Sequence, residues 1–530
     1  MKLYKYAAIA CVALAGASCA DDLDVMPDDP QTKLELTTTE EWYGYLGSLY
    51  GAFLYEGNIS TSDGGAGTYI RCHWNLQEIT ADEAIIVNKW EDPGYRALNG
   101  NIWQDNNEWI YASYAREADV AKKASVLISK LPEAGDLLTD DEKTAFAAEA
   151  RVLRAYAYYC MIDLFGHGPW IDENSPTGAI CPTYDRKQLF DATVADLAAA
   201  IPSVPVAAQQ TYGRVSREAA YMLLAKLYLN AEVYTGTAMY AECAEACKQV
   251  LATGIQLAPE YKYLFCGSND RYVGNGEILW AAPQQVGSME SWGGTTYMTA
   301  GAFCDAMPSD VLAQLGCGFD PWSGLKVRPE LVNAFEPGDK RAMFYSTGFD
   351  NSVADLDDYT TQGYVCIKYR YTSEDNYDNN PDAGPVVMST GGMCDADYPV
   401  FRLADTYLML AECEKRGVSG CDGLKYLNLV RDRAGLPEVN NYSLTDVLNE
   451  RQCELYWEGF RRSDLIRFGL YTGSSYAGGQ FVVLFGSRRS VEREGFWDVG
   501  DGGLVVVACR QADDGQRAQK YAEFFHCWFF

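Results

Sequence analysis

Residues 214–234 read RVSREAAYMLLAKLYLNAEVY, and residues 238–253 follow with AMYAECAEACKQVLAT. Both segments place apolar residues three and four positions apart, which is the spacing of one face of an α-helix. Small alanines alternate with leucines and tyrosines, so another helix can approach closely. The segments 402–415 and 422–434 repeat this arrangement. The chain therefore predicts helix–turn–helix pairs.

The pairs resemble tetratricopeptide repeats, although no strict 34-residue period runs through the chain. Helical spacing also extends through residues 37–55, 106–131 and 140–165. Residues 265–400 differ, since they are rich in Gly, Asn, Asp, Ser, Tyr and Trp and contain only short strand-like runs. Long loops inside a compact protein are usually functional. We predict a mainly α fold over residues 37–476, in which tetratricopeptide-like helical pairs form one scaffold with long aromatic-rich loops and a few short strands.

The net charge excludes one class of partner. The 530-residue chain has 43 Lys and Arg against 73 Asp and Glu, a formal net charge of −30. Such a surface repels phosphate backbones, because nucleic-acid binding needs clustered cations that release counterions. The 37 Tyr and 12 Trp suit surfaces that stack on sugars, although such residues also fill helical cores. Neutral ligands and protein partners stay open, and nucleic acid is not expected.

The cysteines do not have metal-ligand spacing. There are 17 cysteines without a Cys-x-x-Cys pair, and only three histidines. A zinc site of the usual spacing is nearly excluded, and we predict neither a metal site nor a cofactor. Cys243 and Cys247 lie four positions apart on a predicted helix, where they can touch but a disulfide would be strained. Most of the other cysteines are predicted to be buried as small hydrophobic residues.

The N-terminus predicts export. A positively charged start and an apolar run at 7–15 (AAIACVALA) precede small residues and Cys19, which is the layout of a secretory signal. The run is shorter than the roughly 20 residues that span a membrane. Small residues before a cysteine resemble the lipobox of bacterial lipoproteins, which implies a signal peptide over 1–18, lipid attachment at Cys19 and an acidic tether over 19–36. Ordinary cleavage after Ala17 is the alternative.

Four segments, in order, resemble hallmarks of the SusD/RagB family. They are AEARVLRAY at 148–156, YPVFRLADTYLMLAE at 398–412, LNLVRDRAGLP at 427–437 and NERQCELYWEGFRRSDLIRFG at 449–469. Together with the lipoprotein-like start, they cover most of residues 19–476.

This resemblance implies a surface lipoprotein of polysaccharide utilisation and nutrient uptake. Its members have a tetratricopeptide-like helical fold and lie over a TonB-dependent transporter of the SusC type at the outer membrane. They bind oligosaccharides or other nutrients in a shallow site made by loops, and they perform no chemistry. We therefore expect a lipid-anchored, cell-surface glycan-binding protein that is not an enzyme. Two alternatives stay open: a secreted glycoside hydrolase, which needs two carboxylates across a cleft, and a scaffold that binds only other proteins.

The charged hallmark residues are interpreted as structural. Three glutamates spaced four apart are typical of one helix face, and arginines that follow them would neutralise their charge. The glutamates are Glu450, Glu454 and Glu458, and the expected partners are Arg461, Arg462 and Arg467. Arg151 and Arg154 are likewise expected to pair with acids on adjacent helices.

The ligand site is predicted in the loops. Sugar recognition favours aromatic rings because the C–H face of a pyranose is apolar, while its hydroxyls need a few fixed donors and acceptors. In position, the loop after residue 82 looks like the one in which starch-binding members of the family place a stacking Trp. No catalytic residue is predicted. The predicted ligand-binding residues are Trp90, Asp92, Arg96, Trp103, Trp292, Tyr297 and Trp322.

The last residues depart from the family pattern. Residues 477–530 have neither helical nor strand periodicity, and they lack the Asn- and Pro-rich ending that family members usually have. A shifted reading frame in the gene or a genuine divergent tail would each account for this segment.

Overall fold

A computed structural model describes residues 34–54, 68–91, 93–104, 106–175, 180–377 and 391–472. The predicted signal peptide, the lipid-attachment residue Cys19, most of the tether and the atypical tail lie outside these residues. The α-helices of the described part are α1 (Thr39–Leu54), α2 (Tyr69–Trp74), α3 (Pro93–Gly100), α4 (Glu108–Lys130), α5 (Asp140–Leu164), α6 (Arg186–Ala200), α7 (Arg217–Leu229), α8 (Ala231–Thr235), α9 (Tyr240–Leu251), α10 (Thr295–Ala302), α11 (Ser309–Gln314), α12 (Pro329–Ala334), α13 (Glu374–Tyr377), α14 (Leu403–Lys415), α15 (Gly423–Arg433), α16 (Leu444–Leu455) and α17 (Arg461–Arg467).

Short strands form two-stranded antiparallel sheets. The strands are β1 (Ala84–Ile86), β2 (His167–Pro169), β3 (Thr183–Asp185), β4 (Ile278–Ala282), β5 (Leu325–Val327), β6 (Phe344–Tyr345), β7 (Val365–Cys366) and β8 (Tyr398–Arg402). β1 pairs with β5, β2 with β3, β4 with β8 and β6 with β7. The predicted mainly α class with a few short strands is confirmed. Among the described residues, no helix is both long enough and apolar enough to cross a bilayer.

The helical pairs pack as the sequence predicts. α4 lies against α5, α7 against α9, and α14 against α15, while α9 also packs on α14. α5 begins at a capping box, in which the Thr139 hydroxyl accepts from the backbone N–H of Glu142 and the Glu142 carboxylate accepts from that of Thr139. The first predicted helix, over 214–234, is divided into α7 and α8 at Asn230.

Residues 265–400, predicted as long loops, are partly ordered into short elements. They contain α10 to α13, β4 to β7 and most of β8. A second hydrophobic cluster, separate from the main core, stabilises this region, because its apolar side chains bury one another. The buried members of this cluster are Phe303, Cys304, Met307, Leu315, Cys317, Phe349, Val365, Tyr371, Cys394 and Ala396. The described residues contain thirteen cysteines, and all but Cys181 are buried, as predicted for most of them.

The hallmark glutamates are structural, but their predicted partners are wrong. Glu454 lies 2.8 Å from Arg402 and 3.2 Å from Arg341, and it also pairs with Arg433. Glu458 lies beyond the end of α16 and pairs with Arg402 at 2.7 Å. The sequence could not show these partners, because they come from elements distant along the chain. The remaining ion pairs are Glu458–Lys368, Glu450–Arg341 and Glu450–Arg431.

The hallmark arginines reach other carboxylates. Arg461 lies 2.7 Å from Asp82, and Arg467 lies 2.8 Å from both Glu412 and Asp464. The Arg461–Asp82 and Arg467–Glu412 pairs join α17 to the segment after α2 and to α14. The two arginines of α5 pair as predicted with acids on neighbouring elements, through Arg154–Asp196, Arg154–Glu173 and Arg151–Glu173.

A pair of buried glutamates predicts an unusual pH dependence. Burial and the neighbouring Glu78 carboxyl raise the pKa of Glu83 well above its ordinary value, so the folded protein holds this proton and Glu83 shares a hydrogen bond with Glu78. The unfolded chain releases the proton above about pH 4. Glu83 therefore contributes its full stabilisation below that pH. As the pH rises further, the free energy of unfolding falls by about 1.4 kcal/mol per pH unit, until the pH reaches the pKa of Glu83 in the folded protein.

Glu83→Gln should remove this loss, because an amide keeps the hydrogen bonds of the neutral acid. We expect the melting temperature of the variant to fall less than that of the wild type between weakly acidic and weakly basic pH. Glu412→Gln is the control, since this carboxylate is paired with Arg467 and has a lowered pKa. It is ionised in both the folded and the unfolded state over this pH range, so the variant should keep the pH slope of the wild type. Equal pH slopes for Glu83→Gln and the wild type would contradict the assignment.

Candidate ligand-binding site

Trp90 is placed by the β1–β5 pair. The backbone N–H of Val87, just after β1, donates to the carbonyl of Gly324 at 3.0 Å, and the N–H of Trp90 donates to the carbonyl of Val87 at 3.2 Å. The Trp90 indole packs directly on Gly324 and Gly301. A Cβ atom added at Gly324 would lie 1.9 Å from a carbon of the ring, and one added at Gly301 would lie 3.1 Å from it. A side chain at position 324 would therefore displace the half-buried ring.

A cationic and aromatic layer supports Trp90 from the core side. Its ring stacks on Tyr297 at 5.8 Å and lies 5.8 Å from Tyr95. The guanidinium of Arg71 is buried and lies 4.3 Å from the Tyr297 centroid and 5.0 Å from that of Trp109. Cation–π contacts of this kind are stronger when the cation is desolvated. The layer fixes the orientation of the Trp90 indole.

Tyr297 corrects the sequence prediction. It lies on α10 rather than in a loop, it has no exposed surface, and its hydroxyl donates to the Asn75 side chain at 2.7 Å. Trp74 packs against the same ring edge-on at 5.6 Å. A ring enclosed in this way cannot contact a ligand directly, so its role is to support Trp90.

Two further tryptophans lie at the surface beside α10. The rings of Trp292 and Trp322 are 5.8 Å apart and inclined by 43°. The backbone N–H of Trp322 donates to the carbonyl of Ala300 at 2.9 Å, next to the Gly301 that contacts Trp90. Trp292 is 41% exposed, so part of its ring is accessible to a ligand. We call Trp90, Trp292 and Trp322 the aromatic surface.

The chain leading to Trp292 is held by two aspartates. Asp397 accepts from the backbone N–H of Gln284 at 2.7 Å, and Asp395 accepts from that of Val286 at 2.7 Å. Burial raises the pKa of Asp397 to about 7, although the Tyr212 hydroxyl that donates to it acts in the opposite direction. These contacts order the backbone before Trp292.

Two other predicted site residues, Arg96 and Trp103, do not pack on the tryptophans of the aromatic surface. Arg96 is exposed on α3, and Trp103 is half-buried against the main core. Within the described residues, neither makes a ring contact or an ion pair with the three tryptophans. Asp92 lies outside the described residues.

Sequence reasoning missed the residues that shape this surface. Arg71, Tyr95, Gly301 and Gly324 all contact Trp90 or the layer beneath it. Gly301 near the end of α10 and Gly324 just before β5 are a signal of close approach, but the sequence does not show what approaches them. Phe319 lies near Trp292 across Gly392 and extends the apolar area.

The charges beside the aromatic surface are mostly negative. Glu290 and Asp320 are exposed, and each lies two positions before a tryptophan of the surface. Lys89, beside Trp90, is neutralised by Asp305 at 2.6 Å. In the part of the chain that the structure describes, no group of three or more His, Cys, Asp or Glu side chains could hold a metal ion.

Comparison with known families agrees with the fold. Residues 276–522 match the model described as the SusD family, and residues 74–229 match a model described as starch-binding and associating with the outer membrane. Neither is the model of an enzyme family. The chain belongs to the SusD/RagB family. The first match continues to residue 522, so it includes most of the tail that departs from the family motifs.

Individual relatives agree with this assignment. The starch-binding protein SusD of Bacteroides thetaiotaomicron is 28% identical, covering 90% of this chain and 91% of its own. Surface glycan-binding protein A from Bacteroides uniformis has the same fold, with a TM-score of 0.64 at 21% identity over 84% of this chain and 92% of its own. The corresponding protein from Bacteroides thetaiotaomicron, in complex with laminarihexaose, has a TM-score of 0.62 at 20% identity over 84% and 94% of the two chains.

Proposed function

We propose that this protein binds neutral glycans on its aromatic surface and performs no chemistry on them. The observation that most supports the proposal is the exposed Trp292 ring beside Trp322, 5.8 Å away. An indole face packs well on the apolar C–H face of a pyranose. The inclination of the two rings suits a curved oligosaccharide better than a flat ligand. The starch-binding relative and the laminarihexaose complex support the same class of ligand.

The charge pattern supports a neutral ligand. Exposed carboxylates at Glu290 and Asp320 flank the aromatic surface, and the whole chain has a formal net charge of −30. Uronic acids or sulfated sugars would be repelled by these groups, whereas hydroxyls would be accepted as hydrogen-bond donors.

A retention assay on native gels would test this function. Migration should be slowed by neutral polysaccharides such as amylopectin or laminarin and be unchanged by polygalacturonate or a sulfated galactan. The same polysaccharides should show no new reducing ends after prolonged incubation. Retention only by the acidic polymers would refute the proposal and indicate a protein that binds acidic glycans. Steady product formation that one Asp or Glu substitution abolishes would also refute it and indicate a glycoside hydrolase.

We further propose that the protein is anchored by lipid at the cell surface and delivers its ligand to a SusC-like TonB-dependent transporter. The resemblance of residues 7–19 to a lipobox supports the anchor, and the family description of outer-membrane association supports the location. Co-purification of the transporter with the tagged protein from solubilised outer membranes tests the partnership.

Cys19→Ala should abolish lipid labelling and release the protein from the membrane fraction, because the acyl chains attach to this thiol and to its backbone amine. Metabolic labelling with an alkyne fatty acid, followed by fractionation, measures both effects. Ser18→Ala is the matched control, since it leaves the cysteine intact. Continued labelling of Cys19→Ala would show that the chain is anchored differently.

A further inference from the structure

A second concave site lies among the helical pairs, away from the aromatic surface. It is a cleft of about 240 Å³ between α14, α15 and the segment after α9, and it shares no residue with the aromatic surface. Since liquid water occupies about 30 Å³ per molecule, the cleft has room for roughly eight waters, which is enough for one sugar ring. Residues that line it include Gln256, Leu257, Pro259, Tyr407, Leu429 and Asp432.

Two polar groups in this cleft have no hydrogen-bond partner among the described residues. Tyr407 is only 4% exposed, yet its hydroxyl makes no hydrogen bond to any residue that the structure describes. The Asp432 side chain is exposed and makes neither an ion pair nor a hydrogen bond with the described residues. The Tyr407 hydroxyl is not fully enclosed by protein, so it opens into the cleft and can donate a hydrogen bond to a ligand or to water.

The cation of the cleft is already neutralised. The guanidinium of Arg433 contributes to the wall but is paired through both terminal nitrogens, with Glu277 at 2.5 Å and with Glu454. The unpaired charge that faces the cleft is therefore the carboxylate of Asp432. This arrangement favours hydroxyl donors over anionic ligands.

The remaining wall is apolar and accessible. Leu257 and Pro259 lie on one side, and Leu429, which is 40% exposed, lies at the rim. One carboxylate, one phenol and one amide among aliphatic side chains match a sugar ring, which has equatorial hydroxyls at its edge and C–H groups on its faces. We propose that this cleft is a second carbohydrate site, which takes a single neutral sugar residue. Asp432 and Tyr407 hydrogen-bond its hydroxyls.

The test uses saturation-transfer NMR on the full chain with three probes: methyl α-glucoside, methyl α-mannoside and N-acetylglucosamine. The background is Trp292→Ala/Trp322→Ala, which removes two of the three tryptophans of the aromatic surface, and Asp432→Asn and Leu429→Trp change the cleft alone, so the result does not depend on the proposed function. At least one probe should still show saturable binding. Asp432→Asn should weaken it about tenfold, as expected for loss of a charged acceptor, and Leu429→Trp should abolish it by filling the cleft.

Tyr407→Phe removes one hydroxyl while keeping the ring that packs 4.7 Å from Tyr426, and it should weaken binding without lowering the melting temperature. Asp191→Asn, an exposed acid on α6, is the control and should have no effect. Absence of saturable binding by all three probes, or binding that Asp432→Asn and Leu429→Trp leave unchanged, would overturn the second site.

Discussion

Arg402→Met should destabilise the protein by about 3–5 kcal/mol, the usual cost of removing one partner from a buried ion-pair network. Arg402 is 1% exposed and lies at the start of α14. Its guanidinium donates to Glu277 at 2.8 Å, to Glu454 at 2.8 Å and to Glu458 at 2.7 Å. Methionine fills a similar volume but leaves three buried carboxylates with fewer donors. Because domains are stable by only about 5–15 kcal/mol, this loss is a large fraction of the total.

Urea unfolding followed by circular dichroism measures the change. Lys187→Ala is the matched control, because its pair with Asp191 is exposed on both sides, and such pairs contribute about 0–1 kcal/mol. Arg402→Lys should fall between the two, since an ammonium keeps the charge but cannot reach three carboxylates at once. A loss below about 1 kcal/mol for Arg402→Met would show that the network does not stabilise the fold in the way the contacts indicate.

The second large effect concerns ligand affinity. Trp292→Ala and Trp322→Ala should each cost about 1–3 kcal/mol of binding free energy, the range for truncating an aromatic contact at an interface. The double variant should bind with an affinity too low to measure by calorimetry. The fold should change little for Trp292→Ala, because this ring is 41% exposed. Trp322→Ala should lower the melting temperature more, since Trp322 is half-buried against the main core.

Tyr111→Ala is the matched control for these variants. Tyr111 is 48% exposed on α4 and does not belong to the aromatic surface, so its loss should leave affinity unchanged. If the loss of binding by the tryptophan variants only matches the fraction of protein that has unfolded, the rings stabilise the fold and do not contact the ligand. If Tyr111→Ala weakens binding equally, the ligand lies on a different face.

The fold was largely predictable because its helical pairs are encoded locally. Apolar and small residues at helical spacing mark α7, α9, α14 and α15, and the structure has each of them within a few residues of the expected bounds. The region 265–400 was less predictable, since its helices and strands are only two to eight residues long and pair with distant segments. β5, for example, is fixed by β1 from the N-terminal half of the chain.

The site was only partly predictable for the same reason. Aromatic residues in loop-like segments of the sequence predicted an aromatic surface. Whether a particular ring is buried, however, depends on contacts with residues that are distant in the sequence. Tyr297 is enclosed by Asn75 and Trp74, which lie far away in the chain. Likewise, the Glu454 carboxylate has three arginine partners, and none of them is an arginine that follows it within the same motif.

The most direct test of the glycan-binding proposal is an equilibrium titration of the full chain with neutral oligosaccharides, followed by tryptophan fluorescence. The proposal predicts a saturable change for at least one glucan oligosaccharide, because a sugar that stacks on Trp292 or Trp322 alters the environment of an exposed indole. It also predicts that Trp292→Ala/Trp322→Ala removes the change while Tyr111→Ala retains it. A saturable fluorescence change that survives in the double tryptophan variant, or no saturable response to any neutral glycan, would contradict the proposal.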